Sequence, residues 1–436
     1  MSALAEVDGA TLCAELVGRA TARGADAAQV AHSAGEVFEI SFENDAVTLL
    51  RSITSETVSL AVVRDGKKGS ASAEGRDPAA LEAALASALA AADAGVADPA
   101  HDVAAAPSEP ATRHGPEHYD REAMLAVVLE GIDELTERYP AIGGRGGAYS
   151  FRADETCFAN SRGTVQRARR AFYLASIGFL AKDATTTTSW HGATALSFAP
   201  VARLLDAGTV RRALEDSVRS LRPLPLPESF VGDVIVTPEC LAALIGTLAG
   251  ALGGYAVMAG TTPYRDRLGE RIADARFSLL NRPRAPDFPG GATFDGFGVP
   301  TRDLDVIRDG VLCDHLIDFY VARKLGRTQT AGVSAFVVPS GDQALADIIA
   351  ATRRGVLVGG LSGAAPNADL DISGIAKTSF YIEDGEVRHA LTETMLAFNL
   401  RELLTQIRAL SRESVNFGTG RFPYLAADGV TVARKG

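Results

Sequence analysis

Val234-Ile-Val-Thr-Pro-Glu-Cys-Leu-Ala-Ala-Leu-Ile-Gly-Thr-Leu-Ala-Gly-Ala-Leu-Gly-Gly254 is the stretch on which the fold of this chain turns. It opens as a short buried strand. Pro238 and Glu239 then suit a first helical turn, where a missing N–H costs nothing and a carboxylate faces the positive end of the dipole. From Cys240 to Tyr264 no residue is charged. Such a run is a membrane span, a packed core helix, or a helix whose chemistry has been removed. Its length passes the crude test for a span, and Gly246, Gly250 and Gly254 repeat at the spacing of close helix contacts. Its body is mostly Ala, Gly and Thr, however, which gain little from lipid. Glu239, Arg265, Asp266 and Arg267 flank it without a Trp anchor. We expect a buried helix whose glycines let another backbone approach closely.

Working outward, 436 residues are ample for two or three domains with real cores. A net charge of −11 opposes a sequence-independent grip on nucleic-acid phosphate, which needs a basic surface. Glu6, Asp8 and Glu15 stand where a secretory leader would have a basic region and an apolar one, so none is expected. Cys13, Cys157, Cys240 and Cys313 form no paired motif. A cytoplasmic protein with free thiols, binding neither membrane nor nucleic acid, is the expectation.

The patterning divides the chain into three blocks. Residues 1–94 read as a small α/β meander domain. It comprises a helix over about 9–24, alternating strands at Glu36–Glu43, Val47–Ile53 and Thr57–Arg64, a hairpin turn at Asp65-Gly66, and a helix from Pro78. Residues 95–115, rich in Ala, Asp and Pro, read as a linker. Residues 116–222 form a middle α+β domain: a helix from Glu117 to about Arg138, strands near 144–152, 155–160 and 164–181, and a helix over about 200–219. The proline-rich Arg222–Pro227 marks a boundary, and 228–436 form a larger, mixed C-terminal domain. Its expected strands are Leu304–Ile307, Val333–Val338, Val356–Leu361 and Thr378–Ile382, with hairpin turns at Asp309-Gly310 and Asp384-Gly385 and a helix from Leu396 to about Leu410. Strands and helices do not alternate strictly, so the class is α+β, neither Rossmann nor TIM barrel.

Several local motifs touch on chemistry. His114-Gly-Pro-Glu117-His118 spells the inverted zinc-peptidase signature H-x-x-E-H. It needs one continuous helix, and Pro116 belongs at a helix start, so the histidines do not share a face. Gly360-Leu-Ser362-Gly-Ala364 approaches the nucleophile elbow, but Pro366 does not open the helix an elbow requires; His389 and His315 are the candidate bases. Asp303, Asp305, Asp309, Asp314 and Asp318 with His315 form an acidic run without calcium-loop spacing, and read as a wet hairpin face. Arg167, Arg169 and Arg170 on one strand suit either phosphate or a solvated face.

Taken in order, Val234–Glu239 with its Gly-rich helix, Asp295-Gly-Phe-Gly-Val-Pro-Thr-Arg302, Ile307–Leu312, Tyr320–Gly326 and Phe380–Glu386 resemble the C-terminal domain of the TldD/PmbA family. The N-terminal meander and linker fit the same pattern, so the resemblance covers nearly the whole chain. It implies a C-terminal domain of the TldD/PmbA type. TldD-type members carry H-E-x-x-x-H on this helix and a C-terminal cysteine as third zinc ligand, and the zinc activates water for peptide hydrolysis. Here those three positions fall at Gly246, Thr247 and Ala251, and Asn416-Phe-Gly-Thr-Gly420 holds no Cys. The resemblance is thus to the PmbA, or TldE, branch. It implies a pseudo-enzyme subunit with no catalytic residue and no metal of its own, zinc residing in a TldD-type metallopeptidase partner. The three positions would only line a groove. Such pairs enclose a cavity for unfolded peptides. Family members mature peptide antibiotics and degrade a gyrase-poisoning toxin, hence the label "modulator of DNA gyrase". A self-paired binding or scaffold protein, and an independent hydrolase using Ser362 or the acidic run, are the alternatives.

Overall fold

The computed structural model describes residues 8–330 and 335–434. Glu6, and Val333 and Ser334 of one expected strand, lie outside them. In chain order the first half contains α1 (Gly9–Ala22), β1 (Ala27–Glu43), β2 (Ala46–Arg64), β3 (Lys67–Glu74), α2 (Pro78–Ala94), β4 (Thr112–His114), α3 (Arg121–Arg138), β5 (Ile142–Asn160), β6 (Val165–Ala181), β7 (His191–Ser197) and α4 (Val210–Arg219). Among the described residues its strands form one seven-stranded sheet ordered β3-β2-β1-β5-β6-β4, with β7 also on β6. The sheet therefore runs across the expected boundary between the first and middle blocks, because β1 pairs antiparallel with β5 along its length.

Side-chain alternation explains why the sequence looked divided. Val30 and His32 at one end of β1, and Phe38, Ile40 and Phe42 at the other, share one parity and hence one face. The first end packs with α1 and α2 around Leu12, Leu16, Leu81 and Leu85. The second packs with α3 and α4 around Val128, Leu135, Phe151 and Leu214. Two helical layers thus cover opposite ends of the same long strands. The pairs of strands expected at 47–53 and 57–64, and at 144–152 and 155–160, are single strands in each case. Residues 95–115 are a pinned strap, with Ala100, Val103 and Ala104 buried and β4 parallel to β6.

The second half begins with β8 (Phe230–Val236), α5 (Pro238–Ala251) and α6 (Gly254–Ala259). Among the described residues β8 lies inside a thirteen-stranded sheet, between the parallel strand Arg354–Val358 and the antiparallel strand Gly420–Arg434. All three hairpin turns fall where the Asp-Gly pairs place them. Both central residues have positive φ at Asp65-Gly66, Asp309-Gly310 and Asp384-Gly385, the backbone of a type I′ turn. The helix expected over 396–410 is instead strand Thr394–Asn399, short helix Leu400–Thr405 and strand Ile407–Asn416. Asn399 caps that helix by accepting from Arg401 N and Glu402 N, and the flanking residues are taken up by sheet pairing. The middle-block helix expected over 200–219 is a short turn, Leu204–Asp206, followed by α4.

Candidate functional site

α5 is set up by its first residues. Thr237 is extended, its hydroxyl accepts from Cys240 N at 3.5 Å and donates to Gly359 O at 3.3 Å, and Pro238 occupies the first turn as expected. The helix buries Leu241, Leu244, Ile245 and Leu248 in the main C-terminal core. The uncharged run is not one helix: it turns at Leu252 and Gly253 and continues as α6, with Gly254 N donating to Leu316 O at 2.8 Å. No described helix is long and apolar enough to cross a membrane.

The expectation of close packing through the glycines holds only at Gly254, where an added Cβ would sit 3.1 Å from a Val321 methyl and 3.2 Å from Leu316 O. At Gly246 and Gly250 a Cβ would meet nothing within 4 Å. These glycines face outward with Ala243, so the stripe is an open face, not a contact. Gly250→Ala, and likewise Gly246→Ala, is therefore expected to stabilise the protein by up to about 1 kcal/mol through helix propensity alone. Urea unfolding of the two variants checks this, and a loss of stability in either would show that the face is packed.

Beside this face lies a cavity of about 240 Å³, walled by Cys240, Ala243, Thr247, Leu361, Ala364 and Ile372 with Glu239 also lining it. Thr247 thus contributes to a groove wall. Its hydroxyl, however, donates back to Ala243 O at 3.4 Å. Gly246 has no side chain to offer, and Ala251 packs against the core. The residues at the positions of a zinc motif do not fit a zinc ion, and no catalytic step is derived through one. Burial pushes the Cys240 thiol up to about 12, which keeps it protonated at neutral pH and unsuited to metal or nucleophilic duty.

The other sequence candidates disperse. His114 ends β4 and stacks on Phe198, whereas Glu117 and His118 precede α3. α3 starts at Arg121, later than expected, because the Asp120 carboxylate accepts from Glu122 N and Ala123 N. Ser362 ends the short strand Gly360–Ser362, is exposed, and is hydrogen-bonded to neither His315 nor His389. No helix follows it before residue 371. In the acidic run Asp305 pairs with Arg282 and Arg308, while Asp318 caps the helix Phe319–Leu325. Among the described residues no three His, Cys, Asp or Glu side chains are grouped to hold a metal ion. Arg167 pairs with Glu155 at 2.5 Å.

What sequence reading missed is the ionic junction at the start of α5. Arg212 of α4 pairs with Glu239 and donates to the Tyr424 hydroxyl at 2.8 Å, joining the two halves of the molecule. Burial alone would raise the Glu239 carboxyl, but the Arg212 charge and hydrogen bond overcome it and hold its pKa below the usual range. No local spacing signals this pair, since its partners lie 27 residues apart.

Residues 230–434 match the PmbA/TldA metallopeptidase C-terminal domain, and residues 28–92 match PmbA/TldA metallopeptidase domain 1. Among characterised relatives, Metalloprotease PmbA of Escherichia coli O157:H7 is 26% identical over 269 residues, covering 60% of this chain and 58% of the relative. The PmbA homolog of Haemophilus influenzae is 25% identical over 182 residues, covering 41% of this chain and 40% of the relative. The matched stretch thus spans less than two thirds of either protein's length. Among solved structures, a protein described as a modulator of DNA gyrase from Bacteroides thetaiotaomicron superimposes with a TM-score of 0.83 at 22% identity, over 98% of both chains. TldE from Thermococcus kodakarensis gives 0.82 at 22% identity, over 96% of this chain and 99% of that one. With two family domains in their proper order and a fold shared nearly end to end, the chain belongs to the TldD/PmbA family of metallopeptidase-related proteins.

Proposed function

We propose that this chain is a TldE-like, non-catalytic partner of a TldD-type zinc metallopeptidase, and that the open face of α5 walls a cavity in which unfolded peptide is held. One observation carries the reading. The helix that would present His, Glu and His instead presents Gly246, Thr247 and a core-packed Ala251, on a face where nothing fills the space beyond the glycines. Loss of side chains at an outward-facing helix suits a wall that must leave room for a chain. Exposed Leu49, Leu50 and Ile53 on β2 add apolar surface of the kind a subunit contact covers.

The reading is tested with the untagged chain purified alone without chelators, and then mixed with a TldD-type subunit. Elemental analysis is expected to find no zinc on the isolated chain, which should cleave no peptide. Light scattering should show a mixed complex whose peptidase activity depends on the other subunit's zinc ligands. One zinc per isolated chain, or cleavage by the chain alone, would replace this reading with an independent hydrolase. A stable self-dimer that ignores the TldD-type subunit would favour a homodimeric binding protein.

A further inference from the structure

On the face of the first sheet turned away from its helical layers, the loop 289–296 of the C-terminal half closes over the strands. It encloses a cavity of about 400 Å³ bounded by His114, Asp154, Phe158, Arg170, Phe172 and Phe294. That volume is within the range of small-molecule sites. The loop is fixed in place: Gln166 donates to Gly298 O at 2.9 Å and Gln29 to Gly296 O at 3.2 Å. Asp295 in the same wall is already committed, accepting from Phe297 N, Val299 N and Gln329.

Two opposite charges share this cavity and act on each other without closing into a pair. Asp154 and Arg170 are direct cross-strand neighbours on β5 and β6, yet they form no ion pair. Arg170 instead donates to Pro289 O at 3.1 Å, its one hydrogen bond to a described residue. Asp154, exposed at the mouth of the cavity, has no hydrogen-bond or ion-pair partner among the described residues. Nearby Arg169 makes two long contacts among the described residues, of 3.4 Å each, to Pro116 O and Glu117 O, and Arg152 adds a further positive charge. A simple anion would meet Asp154, and a simple cation would meet the arginines. A molecule carrying both charges satisfies both walls. Directly opposed residues in a sheet lie about 5 Å apart at Cα, so one small molecule spans the pair.

We infer that this cavity binds a zwitterion with an apolar side chain, a free amino acid or a dipeptide. Its ammonium lies at Asp154, its carboxylate forks against the Arg170 guanidinium, and its side chain lies among Phe158, Phe172 and Phe294. The site is separate from the α5 groove, and its test needs no partner subunit, so it stands or falls independently of the proposed function. Isothermal titration of the full chain with phenylalanine, Ala-Phe, N-acetylphenylalanine and phenylalaninamide decides it. A free zwitterion is expected to bind at least about tenfold more tightly than either blocked compound. Asp154→Asn should erase the preference over the acetylated compound, and Arg170→Gln the preference over the amide. Tighter binding of phenylalanine identifies a free amino acid as the ligand class, and tighter binding of Ala-Phe identifies a dipeptide. Equal binding of a blocked compound, or no binding of either zwitterion up to about 10 mM, overturns the inference without recourse to the variants.

Discussion

Replacing Arg212 with alanine is expected to destabilise the protein by roughly 2–4 kcal/mol at neutral pH, near the range for breaking a largely buried ion pair. Arg212 extends from α4 in the first half to Glu239 in the first turn of α5, and its guanidinium lies over the Tyr424 ring at 5.5 Å. Removing it leaves Glu239 facing Tyr424 and Asp216 without the cation that offsets burial. The pH dependence gives the mechanism a signature. In the wild type the folded pKa of Glu239 is depressed, so the pair's contribution is present above the unfolded carboxylate range and fades as pH falls through the folded value. In the variant burial, the largest influence on this carboxyl, is opposed only by hydrogen bonds from Thr209 and the backbone, and the folded pKa rises above the unfolded one. The variant then loses stability as pH rises through that value. The gap to wild type should accordingly be wide at neutral pH and close on acidification, as read by urea unfolding across a pH series. Replacing both partners, Arg212→Met with Glu239→Met, should cost less than the single change, because no charge is left stranded. A single variant indistinguishable from wild type at every pH would show that the junction carries no stability.

That junction also marks where sequence reading stops. The start of α5 was legible because Thr237, Pro238 and Glu239 act locally: a cap, a fixed φ and a charge at a dipole. The three Asp-Gly turns were legible for the same reason, since two residues needing positive φ announce themselves. Residues 396–410 were not. Leu400, Leu403, Leu404 and Ile407 carry a helical spacing, and only the pairing of Leu396–Asn399 with distant strands gives the flanks to the sheet. The groove at Thr247 was suggested only by the family resemblance, and nothing local announced that Asp154 would stand opposite Arg170 at a cavity. Each depends on which segment does, or does not, come to lie opposite. A stripe of small residues reads identically whether it faces a neighbour or empty space.

Gly69→Val is the substitution expected to show that difference most sharply, with a loss of about 3 kcal/mol or more from overpacking. Gly69 lies in β3, buried under α2, and a Cβ there would stand 2.1 Å from Ala88 O and 2.2 Å from Ala92 N. Both of those atoms belong to helix backbone, so no side chain can swing aside. The sequence of α2 prepares this approach: Ala84, Ala88 and Ala92 line its buried face with Leu81, Leu85 and Leu89 between them, letting the helix axis drop onto the strand. Making room means lifting α2 and loosening the leucines packed with it around Leu12 and Leu16. Gly69 is not in a left-handed conformation, so the effect is steric and even Gly69→Ala should be costly. Gly250→Ala, the same chemical change on an open helix face, should move stability the other way. Urea unfolding of the three proteins beside wild type makes the comparison. If Gly69→Ala were as stable as wild type, α2 would have to lie further from β3 than its backbone now does.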